Sequence, residues 1–205
     1  MIVVVDYGMG NVGSIANMLR KVGADAVVSS QARDVETAEK LILPGVGAFD
    51  AAMERINASG LRAALDRRVL EDKIPALGIC LGMQLLTQSS EEGELPGLGW
   101  VDARTLAFRG RIDARLKSPH MGWNLVTCHT ASALTTGFDS VVEPRFYFVH
   151  SYFVECVDSN VGILRTTYGV TYESAIQRGN IYGVQFHPEK SHRFGMKLLE
   201  NFARL

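Results

Sequence analysis

The sequence predicts an α/β fold with a central, mostly parallel sheet, helices on both faces and additional antiparallel strands in the second half. In the first two-fifths of the chain, short apolar runs alternate with segments whose apolar residues recur at helical spacing, the pattern of a covered parallel sheet. The second half is rich in β-branched and aromatic residues with turn signals between them, as in antiparallel strands. No Pro/Ser-rich linker, charge block or repeat divides the 205 residues, so we expect residues 1–205 to form a single domain.

The first half supplies the predicted parallel strands and the helices between them. Four apolar runs are predicted to be strands, 2–5, 26–28, 41–43 and 75–79, and the first and last of them are expected to be buried. The third of these is expected to stop at Pro44-Gly45. Apolar residues at helical spacing predict two helices, Val12 to Val22, closed by Gly23, and Leu61 to Val69.

The second half supplies the predicted antiparallel strands. Five segments have strand-like composition: 98–109, 122–128, 145–156, 161–167 and 173–186. Arg178-Gly179-Asn180 is expected to be a hairpin turn that divides the last of these segments. Apolar residues from Phe194 to Leu205 recur at helical spacing and predict an amphipathic terminal helix.

Composition excludes several classes of function. A formal net charge of −1 and the lack of a Lys/Arg run argue against nucleic-acid binding. The apolar start, residues 1–5, is too short for a signal peptide or a membrane span, so we expect a cytoplasmic protein. Cys80, Cys128 and Cys156 show no CxxC spacing, which favours neither a disulfide framework nor a zinc site. We expect no metal and no cofactor.

A glycine pattern near the start offers one alternative function. Residues 8–13 match GxGxxG, follow a predicted strand and open a predicted helix, which is the setting of a dinucleotide-binding turn. That fingerprint also needs an acidic residue at the end of the second strand to hold the ribose hydroxyls. The second strand here ends in Ser29-Ser30-Gln31. We therefore favour a simple strand-to-helix turn over a nucleotide site.

A possible nucleophile lies in Gly78-Ile79-Cys80-Leu81-Gly82, where a buried strand gives way to a helical pattern. This is the cysteine form of the GxSxG nucleophile elbow, in which a sharp turn exposes the reactive side chain. The sulfur of Cys80 is then expected at a helix start, which favours thiolate over thiol. The backbone N–H of Leu81 is placed to donate to an oxyanion.

The best candidate for a base is His187, one of five histidines. It ends a predicted strand in the sequence His187-Pro188-Glu189, and Pro188 opposes continuation as a helix. Residues two apart in an extended chain point to the same side. Glu189 can therefore fix the imidazole tautomer while the other ring nitrogen faces the thiol.

Two long motifs identify a family. GICLGMQLL at 78–86 and VQFHPEKS at 184–191 resemble the class I glutamine amidotransferases. Four more segments resemble the glutaminase subunits of imidazole glycerol phosphate synthases: DYGMGN (6–11), LPGVGAF (43–49), HMGWN (120–124) and FYFVHSYF (146–153). The resemblance covers nearly the whole chain, and it implies a three-layer, flavodoxin-like glutamine amidotransferase type-1 domain. It also assigns the glycine pattern to the family's first turn.

The resemblance implies a role for each matching residue. Cys80 attacks the side-chain amide of glutamine to give a thioester and ammonia, His187 moves the proton, and Glu189 orients His187. The loop Pro44 to Gly47 supplies oxyanion donors through Val46 and Gly47, together with Leu81. The residues implied to hold glutamine are Gln84, Glu92, Ser151 and Tyr152. The residues implied to contact a partner are Asn11, Met121, Trp123, Tyr147 and Lys190.

The resemblance also implies a partner, because released ammonia is lost unless an acceptor site is close. In that family the acceptor is a (β/α)8-barrel cyclase subunit, which forms a heterodimer with the glutaminase and makes imidazole glycerol phosphate and AICAR in histidine biosynthesis. One alternative is a glutaminase that serves another synthase, such as pyridoxal phosphate or anthranilate synthase. Others are a stand-alone cysteine hydrolase of the same fold, a non-catalytic module and a dinucleotide-binding oxidoreductase.

Overall fold

The computed structural model describes residues 1–138, 140 and 143–205. The strands are β1 Ile2–Val5, β2 Ala26–Ser29, β3 Lys40–Gly45, β4 Ala76–Cys80, β5 Ser89–Ser90, β6 Ala103–Ala107, β7 His120–Leu125, β8 Thr127–Cys128, β9 Arg145–His150, β10 Tyr152–Cys156, β11 Gly162–Tyr168, β12 Val170–Arg178 and β13 Ile181–Val184. The helices are α1 Val12–Lys21, α2 Ala32–Thr37, α3 Phe49–Ala58, α4 Arg62–Asp66, α5 Leu81–Leu85 and α6 His192–Arg204. A π-helical turn, Arg67–Glu71, continues α4.

The predicted mixed sheet is confirmed. Its parallel part runs in the order β2-β1-β3-β4-β13, and β12, β10 and β6 extend it on the β13 side with antiparallel pairings. β1, β4 and β13 are buried along their whole length, as expected of strands covered on both faces. In the described part of the chain, β7 and β9 form a separate two-stranded sheet.

The three-layer arrangement follows from the alternation of side chains along the buried strands. Val3 and Val5 of β1 pack in one apolar cluster, which includes the buried face of α3. Ile2 and Val4 of the same strand pack in a second cluster, with the buried faces of α1 and α6. Helices therefore cover both faces of the sheet.

Several predicted boundaries were wrong. β3 does not stop at Pro44 but continues to Gly45, which pairs with Cys80. Pro44 is tolerated because the pairing of β1 with β3 ends at Ile42, so the missing N–H has no ladder partner on that side. The predicted strand 145–156 is two strands in different sheets, separated at Ser151. Within the predicted segment 98–109, only Ala103–Ala107 is a strand.

The helices and the last hairpin agree with the sequence, except that α2 and α3 were not predicted. The helical pattern at 61–69 corresponds to α4 and its π-helical extension, and the terminal helix is α6. β12 and β13 form the predicted hairpin, with Arg178 paired to Ile181 and a φ of 59° at Gly179. Among the described residues, no helix has the length and apolar character needed to span a membrane.

Candidate active site

The nucleophile elbow is present at the end of β4. Cys80 has φ 55° and ψ −111°, and α5 begins at the next residue, Leu81. A Cβ on Gly82 would lie 1.8 Å from the carbonyl oxygen of Leu43, and a Cβ on Gly78 would lie 2.5 Å from the carbonyl oxygen of Gly82. Neither distance is physically possible, so glycine is required at Gly82 for the turn to pack against β3 and at Gly78 for the start of α5 to pack against β4.

The candidate base lies beside Cys80, just after β13, the strand that pairs with β4. His187 follows β13, its backbone N–H donates to the carbonyl of Tyr147 at 2.9 Å, and its carbonyl accepts from the hydroxyl of Ser191 at 2.6 Å. Pro188 opens a short 3-10 turn that directs Glu189 back towards the ring. Nδ1 of His187 lies 2.8 Å from Oε1 of Glu189, and both side chains are buried. The predicted contact is therefore made, although through a 3-10 turn and not through the expected extended segment.

The electrostatic environment of His187 favours a charged imidazole. Burial alone lowers its pKa, but the Cys80 side chain and the Glu189 carboxylate outweigh burial and raise the pKa of His187 to about 10. Nε2 of His187 is buried and has no hydrogen-bond partner among the described residues. That nitrogen is therefore available to exchange a proton with the thiol and with a bound substrate.

The predicted catalytic, oxyanion and glutamine-binding residues, apart from Glu189, line one cavity of about 300 Å³. Such a volume suits a small molecule. From the predicted set the lining residues are Cys80, His187, Val46, Gly47, Leu81, Gln84, Glu92, Ser151 and Tyr152. Residues from five separate parts of the chain thus meet at the carboxyl end of β4.

The end of β3, from which the next loop starts, packs directly on the elbow. A Cβ on Gly45 would lie 2.8 Å from Cβ of Leu81, and the hydroxyl of Tyr7 donates to the carbonyl of Pro44 at 2.6 Å. Gly47 has φ 105°, a conformation that favours glycine. The loop is therefore fixed at its base by Tyr7 and Pro44, and it contains Gly47, the residue type that allows the widest range of backbone conformations.

The predicted glutamine-binding side chains are held by the protein itself. Nε2 of Gln84 donates to the carbonyl of Tyr152 and to Oε1 of Gln185, both at 3.1 Å. Oε2 of Glu92 accepts from the N–H of Phe49 at 3.1 Å, and burial is the main cause that raises the pKa of Glu92. Glu92 is half-buried, so it is not a fully solvated surface charge.

The comparisons with known proteins agree with this geometry. Residues 3–205 match the family model described as "Glutamine amidotransferase class-I". The chain belongs to this family. As a glutamine amidotransferase it is an enzyme.

Similar proteins span the whole chain. It is 51% identical over 205 residues to "Imidazole glycerol phosphate synthase subunit HisH 2" of Methanococcus maripaludis, covering 100% of this chain and 99% of that protein. It is 48% identical over 206 residues to "Imidazole glycerol phosphate synthase subunit HisH" of Bdellovibrio bacteriovorus, with both chains covered completely. Among solved structures, a chain of PurLQS from Thermotoga maritima aligns with a TM-score of 0.70 and 19% identity, covering 99% of this chain and 97% of that one. That last likeness shows the fold.

The amidotransferase carries exposed apolar side chains on the outer face of β7. Met121 is 62% exposed and Trp123 is 46% exposed. The Trp123 ring lies parallel to the ring of His192, with 5.4 Å between centroids, and Lys190 lies 5.7 Å from the ring centroid of Tyr147. Four of the five predicted partner contacts therefore form one surface.

The fifth predicted contact, Asn11, lies nearer the site. Its Nδ2 donates to Oε1 of Glu189 at 3.4 Å. The glycine pattern at 8–13 also packs on the protein, since a Cβ on Gly10 would lie 3.0 Å from Cβ of Pro44. The first turn thus supports the amidotransferase site, and nothing in this packing favours the alternative of a dinucleotide site.

Sequence reasoning missed three cavity residues and one contact to the nucleophile. Pro119, Val149 and His150 also line the cavity, and Nε2 of Gln185 donates to Sγ of Cys80 at 3.8 Å. Gln185 could have been found, because it precedes His187 by two residues at the end of the same strand path. His150 gave no such signal, because its place depends on the break at Ser151.

Buried histidines should make the amidotransferase sensitive to acid. Burial lowers the pKa of His120 from 6.5 to about 4 and that of His150 from 6.5 to about 3. Below pH 6.5 these two histidines therefore bind protons in the unfolded chain but not in the folded chain. We expect His120 and His150 each to lower the free energy of unfolding by about 1–2 kcal/mol between about pH 7.5 and pH 5. The raised pKa of His187 opposes part of this fall.

Urea unfolding across that pH range measures this dependence. His120→Phe should show a shallower dependence than the unsubstituted chain, because it removes one of the two groups. If the free energy of unfolding depended on pH with the same slope in both proteins, the lowered pKa of His120 would be wrong.

Proposed function

We propose that this chain is the glutaminase subunit of an imidazole glycerol phosphate synthase, formed by one amidotransferase domain over residues 1–205. The observation that carries the proposal is the position of His187, which meets Glu189 at 2.8 Å and shares one cavity with Cys80. That arrangement provides a nucleophile, a proton carrier and an orienting acid in contact with one small-molecule site.

The reaction follows from these positions. The Cys80 sulfur attacks the side-chain amide carbon of L-glutamine, and the charge that develops on the amide oxygen is held by N–H groups of Leu81 and of the Val46–Gly47 loop. The imidazolium of His187 gives its proton to the departing amide nitrogen, so the C–N bond breaks and ammonia leaves. Water then attacks the thioester with His187 as base, which releases glutamate and regenerates Cys80.

Substrate specificity is assigned to the wall opposite the elbow. Glutamine carries an ammonium and a carboxylate group at the end remote from its amide. The Glu92 carboxylate and the Oε1 of Gln84 suit the ammonium group, and the backbone around Ser151 and Tyr152 suits the carboxylate. All four residues line the cavity with Cys80.

The partner is a cyclase subunit with a (β/α)8 barrel, bound as a heterodimer. The names of the similar proteins support a synthase with more than one subunit. The exposed side chains of Met121 and Trp123 provide the apolar and aromatic contacts that are enriched in protein interfaces. The cyclase uses the ammonia to make imidazole glycerol phosphate and AICAR in histidine biosynthesis. A reducing cytoplasm suits an enzyme that depends on a free thiol.

The proposal predicts that the partner switches on glutamine hydrolysis. The isolated chain should hydrolyse glutamine slowly, and addition of the cyclase subunit with its ribotide ligand should raise the rate about 10²–10³-fold, the effect of completing an oxyanion site. The structural reason is the glycine-containing loop at Val46–Gly47, where a peptide rotation can bring an N–H into the cavity.

A glutamate-release assay with and without the cyclase and its ligand measures this activation. If the isolated chain is fully active and insensitive to the ligand, the proposed activation of glutamine hydrolysis by the cyclase is wrong. If the acceptor component of an anthranilate or pyridoxal phosphate synthase activates it instead, the assigned partner is wrong.

A further inference from the structure

A buried polar cluster lies beside the active-site cavity and plays no part in the reaction described above. His120 of β7 and His150 of β9 are directly paired across the two-stranded sheet. Tyr172 of β12 lies against both, with its hydroxyl 3.2 Å from Nδ1 of His120 and 3.1 Å from Nε2 of His150. All three side chains are buried. Buried polar groups need hydrogen-bond partners, and these three side chains supply such partners to one another.

The surroundings of Asn124 fix the proton on His120. Oδ1 of Asn124 accepts from the N–H of Leu125 at 2.8 Å, and its Nδ2 donates to the carbonyl of Thr167 at 3.1 Å. The amide orientation is therefore determined. Nδ2 also lies 3.2 Å from Nε2 of His120, so Nε2 accepts and the proton of the neutral ring is on Nδ1.

The surroundings of Tyr152 fix the proton on His150. Nδ1 of His150 lies 2.7 Å from the carbonyl oxygen of Tyr152, which can only accept, so Nδ1 carries the proton and Nε2 accepts. The hydroxyl of Tyr172 then accepts from His120 and donates to His150. Nδ1 of His120 also lies 3.2 Å from Nε2 of His150, so a second donor is in reach of the same nitrogen.

The result is a chain of hydrogen bonds with one direction: Asn124 to His120, to Tyr172, to His150, to the carbonyl of Tyr152. Burial is the main cause that lowers the pKa of both histidines, to about 4 and about 3, so both rings are neutral at physiological pH.

The last acceptor in this series of hydrogen bonds is the carbonyl of Tyr152, a residue that lines the active-site cavity. The carbonyl of Tyr152 also accepts from Nε2 of Gln84 at 3.1 Å. Gln84 in turn donates to Gln185, whose Nε2 donates to Sγ of Cys80 at 3.8 Å. The position of one carbonyl oxygen therefore affects the cavity wall and, through two amides, the nucleophile.

We propose that His120, Tyr172 and His150 are positioning residues of the glutaminase reaction. They hold the Tyr152 carbonyl, and through it the wall of the glutamine pocket formed by Ser151, Tyr152 and Gln84. The proposal rests on the proposed function, because it assumes that glutamine binds against this wall.

The first test is the location of two protons, which needs no substitution. Long-range ¹H–¹⁵N correlation spectra of the full chain report which ring nitrogen of each histidine is protonated. We expect both His120 and His150 to carry a single proton, on Nδ1, at neutral pH. A proton on Nε2 of either ring, or a charged ring, would overturn the proposal.

The second test separates positioning from general damage by comparing KM with kcat in the complex with the cyclase. His120→Phe keeps the stacking with Phe148 and Tyr168, whose ring centroids lie 4.9 and 4.1 Å away, and Tyr172→Phe removes only the hydroxyl. Because either donor can serve His150, each single variant should raise KM for glutamine little. The double variant should raise KM about 3- to 10-fold, the effect of a lost hydrogen bond, with kcat within about twofold.

Tyr168→Phe is the matched control. Its hydroxyl donates to the carbonyl of Lys117 at 2.7 Å. The variant therefore removes a hydroxyl from the same aromatic cluster that takes no part in the hydrogen bonds from Asn124 to Tyr152. The KM for glutamine should not change. Partial unfolding lowers apparent kcat and leaves KM unchanged. An unchanged KM in the double variant, or an equal rise in the control, would overturn the proposal. Lack of Cys80-dependent glutaminase activity in the unsubstituted complex would instead contradict the proposed function, and the spectra would still test the proton positions.

Discussion

Replacement of Cys80 by alanine is expected to abolish glutamine-dependent synthesis by the complex with the cyclase, while synthesis from free ammonium continues. The loss should be roughly 10⁴-fold or more, as for removal of other catalytic nucleophiles. The reason is that Cys80 alone can form the thioester, whereas ammonia from solution can reach the cyclase without it. The measurement is product formation with glutamine and, separately, with ammonium salts.

A second cysteine gives the control for this experiment. Cys156 is half-buried and lies outside the cavity lining, and burial is the main cause that raises the pKa of its thiol to about 12. Its thiol is therefore protonated at neutral pH, and Cys156→Ala should leave both activities unchanged. Loss of both activities in Cys80→Ala would mean that Cys80 does something other than supply ammonia.

Replacement of Gly82 by alanine should give a large loss of stability. The added Cβ would lie 1.8 Å from the carbonyl oxygen of Leu43, so β3 and the start of α5 must move apart. We expect a cost of about 3 kcal/mol or more and loss of glutaminase activity, because the same contact sets the position of Cys80. Urea unfolding and the glutamate-release assay measure the two effects.

Gly13 is the matched control for this substitution. It lies in α1, and no atom outside its own stretch of helix lies within 4 Å of an added Cβ. Gly13→Ala should stabilise the chain by up to about 1 kcal/mol, the difference in helix propensity, and leave glutamine hydrolysis unchanged. If Gly82→Ala were as stable as Gly13→Ala, the packing described for the elbow would be wrong.

The parts of the site that could be predicted from sequence are local in the chain. The elbow around Cys80 needs two glycines at fixed positions. The His187–Glu189 contact joins residues two apart, although the 3-10 turn Pro188–Lys190 brings them together and not the extended segment that was expected. In both cases steric rules that act over about five residues determine the conformation. The same reasoning found the buried strands, because a strand covered on both faces must be apolar along its length.

The parts that could not be predicted depend on contacts between distant segments. α3 is an exception, because the helical spacing of its buried residues Phe49, Met53 and Ile56 is itself a local signal. The break at Ser151 and the extension of β3 to Gly45 had no local signal, since each depends on which strand lies alongside. Gln185 had a local signal, two residues before His187, but its contact with Cys80 also depends on β13 lying next to β4.

The sequence by itself determined the layered α/β fold, the family and the identity of the candidate nucleophile and base, because each follows from periodicity or from motifs a few residues long. Only the tertiary structure decided which residues surround that nucleophile. It placed Gly45 beside Leu81, Asn11 beside Glu189, and Tyr172 between His120 and His150. These contacts join residues far apart in the chain, and the order and register of the strands bring them together. The hydrogen-bond chain that we propose to position the glutamine pocket arises in that way.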